Sequence, residues 1–246
     1  MPDLTINGYK HHYEEVGDGP PMVFIAGTRF DAARDWVPYM RENAAGFRVV
    51  LPDPRGLADS EHTTDVAPQD WVRDLGSLLD ALGIDAVHLA SETLGTRIAT
   101  RFAYEHPGRV RSLVLNGVIA SSYAGGDDER RGQTEGMPAE RLEQLTHYHG
   151  ADALAVNDFY LDLHADPGFH DYYDLRKIAA DVRAPVLLLR GDVDDQRHPV
   201  QHSVDLHGLF PDSRLAIFAG TPFNAMRHRP VESWALVREL TEGAPS

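Results

Sequence analysis

Val87-His88-Leu89-Ala90-Ser91-Glu92-Thr93-Leu94-Gly95-Thr96 is the stretch from which the fold can be read. An apolar run ends at Ala90, and Arg97-Ile98-Ala99-Thr100-Arg101-Phe102-Ala103 continues with helical spacing. Between them lies small-x-X-x-Gly, the pattern of a sharp strand-to-helix turn that pushes its central side chain outward. Ser91 and Gly95 supply the small residues that such a turn needs on either side of its centre. The central residue is Thr93, where Ser, Cys or Asp would be expected. That position normally sits at positive φ, which suits a β-branched side chain poorly. A threonine hydroxyl also needs a base to take its proton before it can attack anything.

Working outward, apolar runs alternate with helical patterns. Leu4 to Tyr13 reads as two short strands around the Asn7-Gly8 turn. Met22-Val23-Phe24-Ile25-Ala26 reads as a buried strand ending in Gly27-Thr28, and Phe47-Arg48-Val49-Val50-Leu51 as the next. Helical spacing covers Trp36 to Ala44 and Asp70 to Leu82, the latter stopped by Gly83. Ser112-Leu113-Val114-Leu115-Asn116, Pro185 to Gly191 and Leu215-Ala216-Ile217-Phe218 are further strands, and Glu232 to Leu240 is a closing helix. Strands separated by helices of this length predict a parallel sheet with helical crossovers. The rhythm breaks from about Ala120 to Arg183. That segment opens with the polar run Gly125-Gly126-Asp127-Asp128-Glu129-Arg130-Arg131, then turns helical and rich in His, Tyr and Phe. Trp36, Trp71 and Trp234 fall at core positions.

Composition narrows the function. A chain of 246 residues suits one domain with a substantial core. A formal charge of -15 argues against nucleic acid or an anionic membrane as partner. With no cysteine, disulfides, thiolate metal sites and cysteine nucleophiles are excluded. No run approaches the roughly 18 apolar residues of a membrane span, and no signal pattern opens the chain. The expectation is a soluble cytoplasmic protein whose partner is a small molecule, with a homodimer compatible with this surface. Arginine in place of lysine, which occurs only at Lys10 and Lys177, points to a GC-rich bacterial genome.

Taken together these segments resemble the α/β-hydrolase fold superfamily over nearly the whole chain. The resemblance rests on Gly27 after the third strand, Asp53-x-Arg55-Gly56-x-x-x-Ser60 after the fourth, and Asp80-Ala81-Leu82-Gly83-Ile84 before the turn at Thr93. It also rests on His106-Pro107-Gly108-Arg109-Val110 after that turn. It implies a mostly parallel central sheet flanked by helices. The core would be residues 1–119 and 184–246, and a short helical cap, 120–183, would be inserted after the sixth strand. Thr93 then occupies the nucleophile elbow. Gly191-Asp192-Val193-Asp194 matches the motif that carries the family's acid, implying Asp194. The family's histidine stands seven residues before the proline that opens the last helix; counting back from Pro230 gives Phe223. The triad is therefore degenerate. The backbone N–H groups of Thr28 and Leu94 would form the oxyanion hole, since backbone donors survive side-chain replacement.

Other residues carry weaker expectations. Glu92, beside the elbow, is a candidate base; the plainer reading is a structural hydrogen bond. His228 and His198 lie near the histidine and acid positions, but thirteen histidines make proximity by chance easy. Gly27, Arg29, Tyr148, Phe159, Tyr160 and Phe223 are expected to line the substrate site, with Arg29 and Arg97 as possible partners for an acid. His147-x-His149 and His198-x-x-x-His202 have ligand spacing but too few donors, so no metal is expected, and no cofactor. Losing a triad histidine costs orders of magnitude in hydrolysis. The first expectation is accordingly a non-hydrolytic, cofactor-independent biosynthetic enzyme, a lyase, cyclase or isomerase acting on a small apolar molecule. A ligand-binding receptor or scaffold comes second, and an ester or lactone hydrolase with a surrogate base third.

Overall fold

The computed structural model describes residues 3–26, 29–121, 136–193 and 198–244. Eight strands form one sheet in the order β1-β2-β4-β3-β5-β6-β7-β8. The ranges are β1 Asp3–Ile6, β2 Tyr9–Val16, β3 Pro21–Ile25, β4 Arg48–Pro52, β5 Val87–Glu92, β6 Val110–Asn116, β7 Val186–Val193 and β8 Ser213–Pro222. β1 and β2 pair antiparallel around Asn7 and Gly8, both at positive φ, and β2 is antiparallel to β4. Every pairing from β4 onward is parallel. β2 reaches Val16, beyond the expected end at Tyr13, because Tyr13 to Val16 pair with β4.

Side-chain alternation sorts the strands onto two layers. Met22, Phe24, Ala90, Val114, Leu187 and Leu189 pack on one face. Helices α1 (Ala33–Asn43) and α9 (Pro230–Glu242) cover it with Trp36, Met40, Trp234 and Val237. Val23, Ile25, Leu89, Leu113, Leu115 and Leu188 pack on the other. There α2 (Asp70–Ala81) and α3 (Leu94–Glu105) contribute Trp71, Leu75, Ile98 and Phe102. All three tryptophans are buried. Burial on both faces is why these strands read as continuous apolar runs.

Between β6 and β7 the chain leaves the sheet. α4 (Ala139–His149) is followed by α5 (Ala153–Ala165) and α6 (Pro167–Tyr172), which add Val156, Phe159, Tyr160, Leu163 and Phe169 to the second cluster. The Leu175 N–H donates to the Ala120 carbonyl at 2.8 Å, drawing the two ends of the excursion together. The polar run Gly125 to Arg131 lies outside the described residues.

The turn from β5 into α3 depends on one close approach. A Cβ on Gly95 would lie 2.1 Å from the Ile25 carbonyl oxygen, on backbone that cannot swing away. Gly95→Ala should therefore cost about 3 kcal/mol or more. Gly76, inside α2, would place its Cβ in ordinary contact with Phe102 at 3.5 Å. Gly76→Ala should gain up to about 1 kcal/mol. Urea unfolding of the two variants checks both, and equal stability would refute the packing account.

Candidate active site

Thr93 sits at φ 49°, ψ -115°, the strained conformation that the turn imposes. Holding a β-branched residue there costs about 1–3 kcal/mol, which the surrounding packing must offset. The Thr93 N–H donates to Asn116 O at 3.3 Å, the Ser91 hydroxyl to Val114 O at 3.1 Å, and the Thr96 hydroxyl to the Thr93 carbonyl. Leu94 opens α3, so its N–H lies in the first turn, where helix donors have no partner within the helix. Gly27 and Thr28, the other expected contributors to the anion-binding side, lie outside the described residues.

Glu92 is buried, and the even parity it shares with Ala90 along β5 turns it toward α1 and α9. Asn116 Nδ2 donates to its Oε2 at 2.8 Å and Arg227 Nε to its Oε1 at 3.2 Å. The same guanidinium holds both oxygens of Asp31 through Nη2, at 3.0 and 3.1 Å, and lies 3.8 Å above the Trp36 ring. Trp36 Nε1 adds a 2.9 Å bond to Asp31, and Asn116 Oδ1 accepts from the Met226 N–H. Two buried carboxylates thus share one guanidinium. Burial pushes Glu92 up to about 7 against the pull of Arg227, and it raises Asp31 for the same reason. Asp31, Asn116 and Arg227 had no sequence signal. Their association comes from three distant elements meeting at the end of the sheet.

The cap supplies the opposite wall. Arg29, immediately after the Gly27-Thr28 pair, is buried, with its guanidinium 5.0 Å over the Tyr160 ring and 5.1 Å over that of Phe30. Tyr160 stacks on His164 at 4.1 Å. Phe159 fills the hollow at Gly56, where a Cβ would lie 2.7 Å from its Cε1. Tyr148 on α4 is partly buried, and burial, then the charges of Asp31 and Asp35, raise its hydroxyl pKa. A groove of about 420 Å³ runs along the seam between cap and core, lined by Gly56, His62, Thr63, Asp152, Val156 and Phe159.

At the far end of the sheet, Phe223 directly follows β8 and packs on Gly117, where a Cβ would lie 2.7 Å from its Cδ2. The imidazole of His198 lies flat on its ring, with centroids 3.8 Å apart and planes 4° from parallel. Arg190 Nη2, on β7, bonds the His198 carbonyl. Asp194 lies outside the described residues. His228 is exposed at the end of the short helix α8 (Ala225–His228), which comes after α7 (Val200–Leu209) and β8, and Arg97 donates to the Ile119 carbonyl at 3.4 Å.

The histidine pairs with ligand spacing are otherwise engaged. His147 Nε2 meets Asp35 at 3.2 Å, and His149 bonds backbone at both nitrogens. The His202 Nδ1 accepts from the Ala120 N–H at 3.4 Å. Among the described residues, His12, Asp53 and Asp59 do bring donor atoms within 4.8 Å of one another, a grouping the sequence did not signal. The ring nitrogens of His12 face Asp3 and Glu14, Asp53 accepts the Ala33 N–H, and Asp59 pairs with Arg34. Also among the described residues, no helix is long and apolar enough to cross a membrane.

Residues 20–140 match the family model described as alpha/beta hydrolase fold. A 2-hydroxy-6-oxo-2,4-heptadienoate hydrolase of Pseudomonas putida is 28% identical over 87% of this chain and 86% of its own length. A 2-hydroxymuconate semialdehyde hydrolase of Pseudomonas putida is 27% identical, over 88% and 85%. In fold, the crystal structure of the enol-lactonase from Burkholderia xenovorans LB400 superposes with a TM-score of 0.77 at 20% identity, covering 98% of this chain and all of that one. The chain belongs to the α/β-hydrolase fold superfamily.

These relatives overturn the expectation of a non-hydrolytic biosynthetic enzyme, whether lyase, cyclase or isomerase. Relatives that span most of the chain are hydrolases, and that favours a hydrolase over the receptor reading as well. Phe223 removes one imidazole from this position, and the fold stacks another, that of His198, against it. A linear sequence does not reveal which other ring packs against that position.

The buried carboxylate pair makes a testable prediction. A raised folded pKa gives Glu92 a contribution fully present below its unfolded value of 4.5 and lost as pH rises through about 7. Glu92→Gln removes that loss. The wild type should therefore melt at about the variant's temperature near pH 5 and below it near pH 8, the gap opening by about 1–3 kcal/mol. Calorimetry across that range checks it; a constant gap would mean that Glu92 titrates normally.

Proposed function

We propose that the protein is a hydrolase that cleaves an ester, a lactone or a carbon–carbon bond beside a ketone in a small unsaturated acid, with His198 as surrogate base. What supports the base assignment is the face-to-face stack of His198 on Phe223. It puts an imidazole one ring thickness from the residue at the family's histidine position. Support for the substrate class comes from the relatives, whose names describe oxo-dienoates and a muconate semialdehyde.

In this reading His198 takes the Thr93 hydroxyl proton as Oγ attacks the substrate carbonyl. The developing oxyanion is met by the N–H groups of Leu94 and Thr28. The proton passes to the leaving group as its bond to the carbonyl carbon breaks. Water, deprotonated by the same imidazole, then releases the acyl group from Thr93 and restores the hydroxyl. Glu92 supports the elbow through Asn116 and Arg227 instead of handling the proton. Phe159, Tyr160 and Tyr148 shape the apolar part of the site.

The test is turnover of 2-hydroxy-6-oxo-2,4-dienoates and of short lactones and esters by wild type, Thr93→Val and His198→Gln. Wild type should turn over, and each substitution should lower kcat by about 10³-fold or more while the melting temperature holds. An inert wild type, or an undiminished His198→Gln, would sink the proposal.

A further inference from the structure

Arg190 ends an apolar run. Val186-Leu187-Leu188-Leu189 precedes it on β7, and its own side chain is as buried as theirs. A guanidinium is costly to bury unless its donors are bonded. Nη2 donates to the carbonyl of His198, eight residues further along the chain. That bond ties the backbone just before α7 back to the sheet.

The carbonyl of His198 is a stiff point of attachment. Pro199 follows it at φ -69°, ψ 140°, and a residue before proline is itself held toward extended backbone. α7 starts at Val200, and its first turn is fixed because His202 Nδ1 accepts the Ala120 N–H at 3.4 Å. With the backbone restricted on that side of His198, holding its carbonyl sets the direction in which the imidazole leaves the chain. The other ring of the stack is fixed as closely. A Cβ on Gly191, the residue after Arg190, would overlap the carbonyl oxygens of Thr221 and Pro222. β7 and β8 therefore meet through backbone immediately before Phe223, whose ring packs on Gly117. Two adjacent residues of one strand thus serve the two rings: Arg190 the imidazole, Gly191 the phenyl on which it lies.

We propose that Arg190 is a positioning residue that lays the His198 imidazole on Phe223 and so delivers the base to the elbow. The role of that imidazole as base rests on the reading given above. The placement of its ring by a buried arginine goes beyond that reading. Arg190 itself touches no substrate and handles no proton.

The place of the imidazole can be read by proton NMR at fixed pH. A proton above the face of a phenyl ring is shielded, so the His198 ring protons should resonate upfield in wild type. His198→Gln identifies the signal by removing it, and Phe223→Leu gives its unstacked position. Arg190→Met keeps the length of the stem and removes the donors. In that variant the signal should move to the unstacked position, and kcat for a 2-hydroxy-6-oxo-2,4-dienoate should fall about 10²-fold with KM within about threefold of wild type. Arg190→Lys keeps one donor on a shorter reach and carries the test where the Met variant does not fold. It should give an intermediate shift and a kcat about tenfold down. An arginine that only stabilised the fold would lower the melting temperature and leave the signal in place. An unmoved His198 signal in a folded variant overturns the proposal, as does a moved signal with kcat unchanged in an active enzyme. A wild type that hydrolyses nothing removes the base assignment alone. Placement by Arg190 then stands if the signal moves in the variants and falls if it does not.

Discussion

At Gly95 the first turn of α3 passes so near the end of β3 that no side chain fits between them. That approach brings the helix N-terminus against the centre of the sheet and drives Thr93 to positive φ. The rest of the site is arranged around this one contact. β3 delivers Arg29 on one side of the elbow, β6 delivers Asn116 and Gly117 on the other, and β8 closes the end with Phe223. The cost is a strained threonine, and the compensation is local: hydrogen bonds from the neighbouring strand and a helix buried along most of its length.

Beneath the elbow lies a charge arrangement that hydrophobic packing alone would not require. The buried Asp31 and Glu92 share the partly exposed guanidinium of Arg227, more acids than bases, and are held by Trp36 and Asn116. In such surroundings desolvation outweighs the attraction of a single guanidinium, so a carboxyl retains its proton toward neutral pH. The network also joins α1, β5, β6 and α8, the elements that meet behind Thr93. Above the elbow the logic is reversed. There the polar groups are His149, bonded to backbone at both ring nitrogens, and the Arg29 guanidinium lying on aromatic faces.

At position 223, where the family resemblance implies a histidine, the chain carries phenylalanine. Substitution of the expected histidine by Phe223 reads as loss of hydrolysis only while position 223 is considered alone. In the folded chain the phenyl ring is half of a stacked pair, and its partner is an imidazole from the loop that follows β7. Aromatic stacking of this closeness is a packing preference between two flat faces, and it joins residues from different loops.

The linear sequence determined the layered architecture, because alternation along buried strands and spacing along helices are local signals set by backbone geometry. Ser91 and Gly95 made the elbow legible for the same reason: a tight turn restricts residue size at fixed offsets. Counting along the chain was enough to find Phe223, since strand and helix lengths are constrained by the sheet. Three matters were decided by the tertiary structure alone: the direction of Glu92, the stack of His198 on Phe223, and the reach of His149 to Arg29. Each depends on side chains meeting from distant elements, and which of thirteen histidines arrives where is a property of packing that no local pattern encodes.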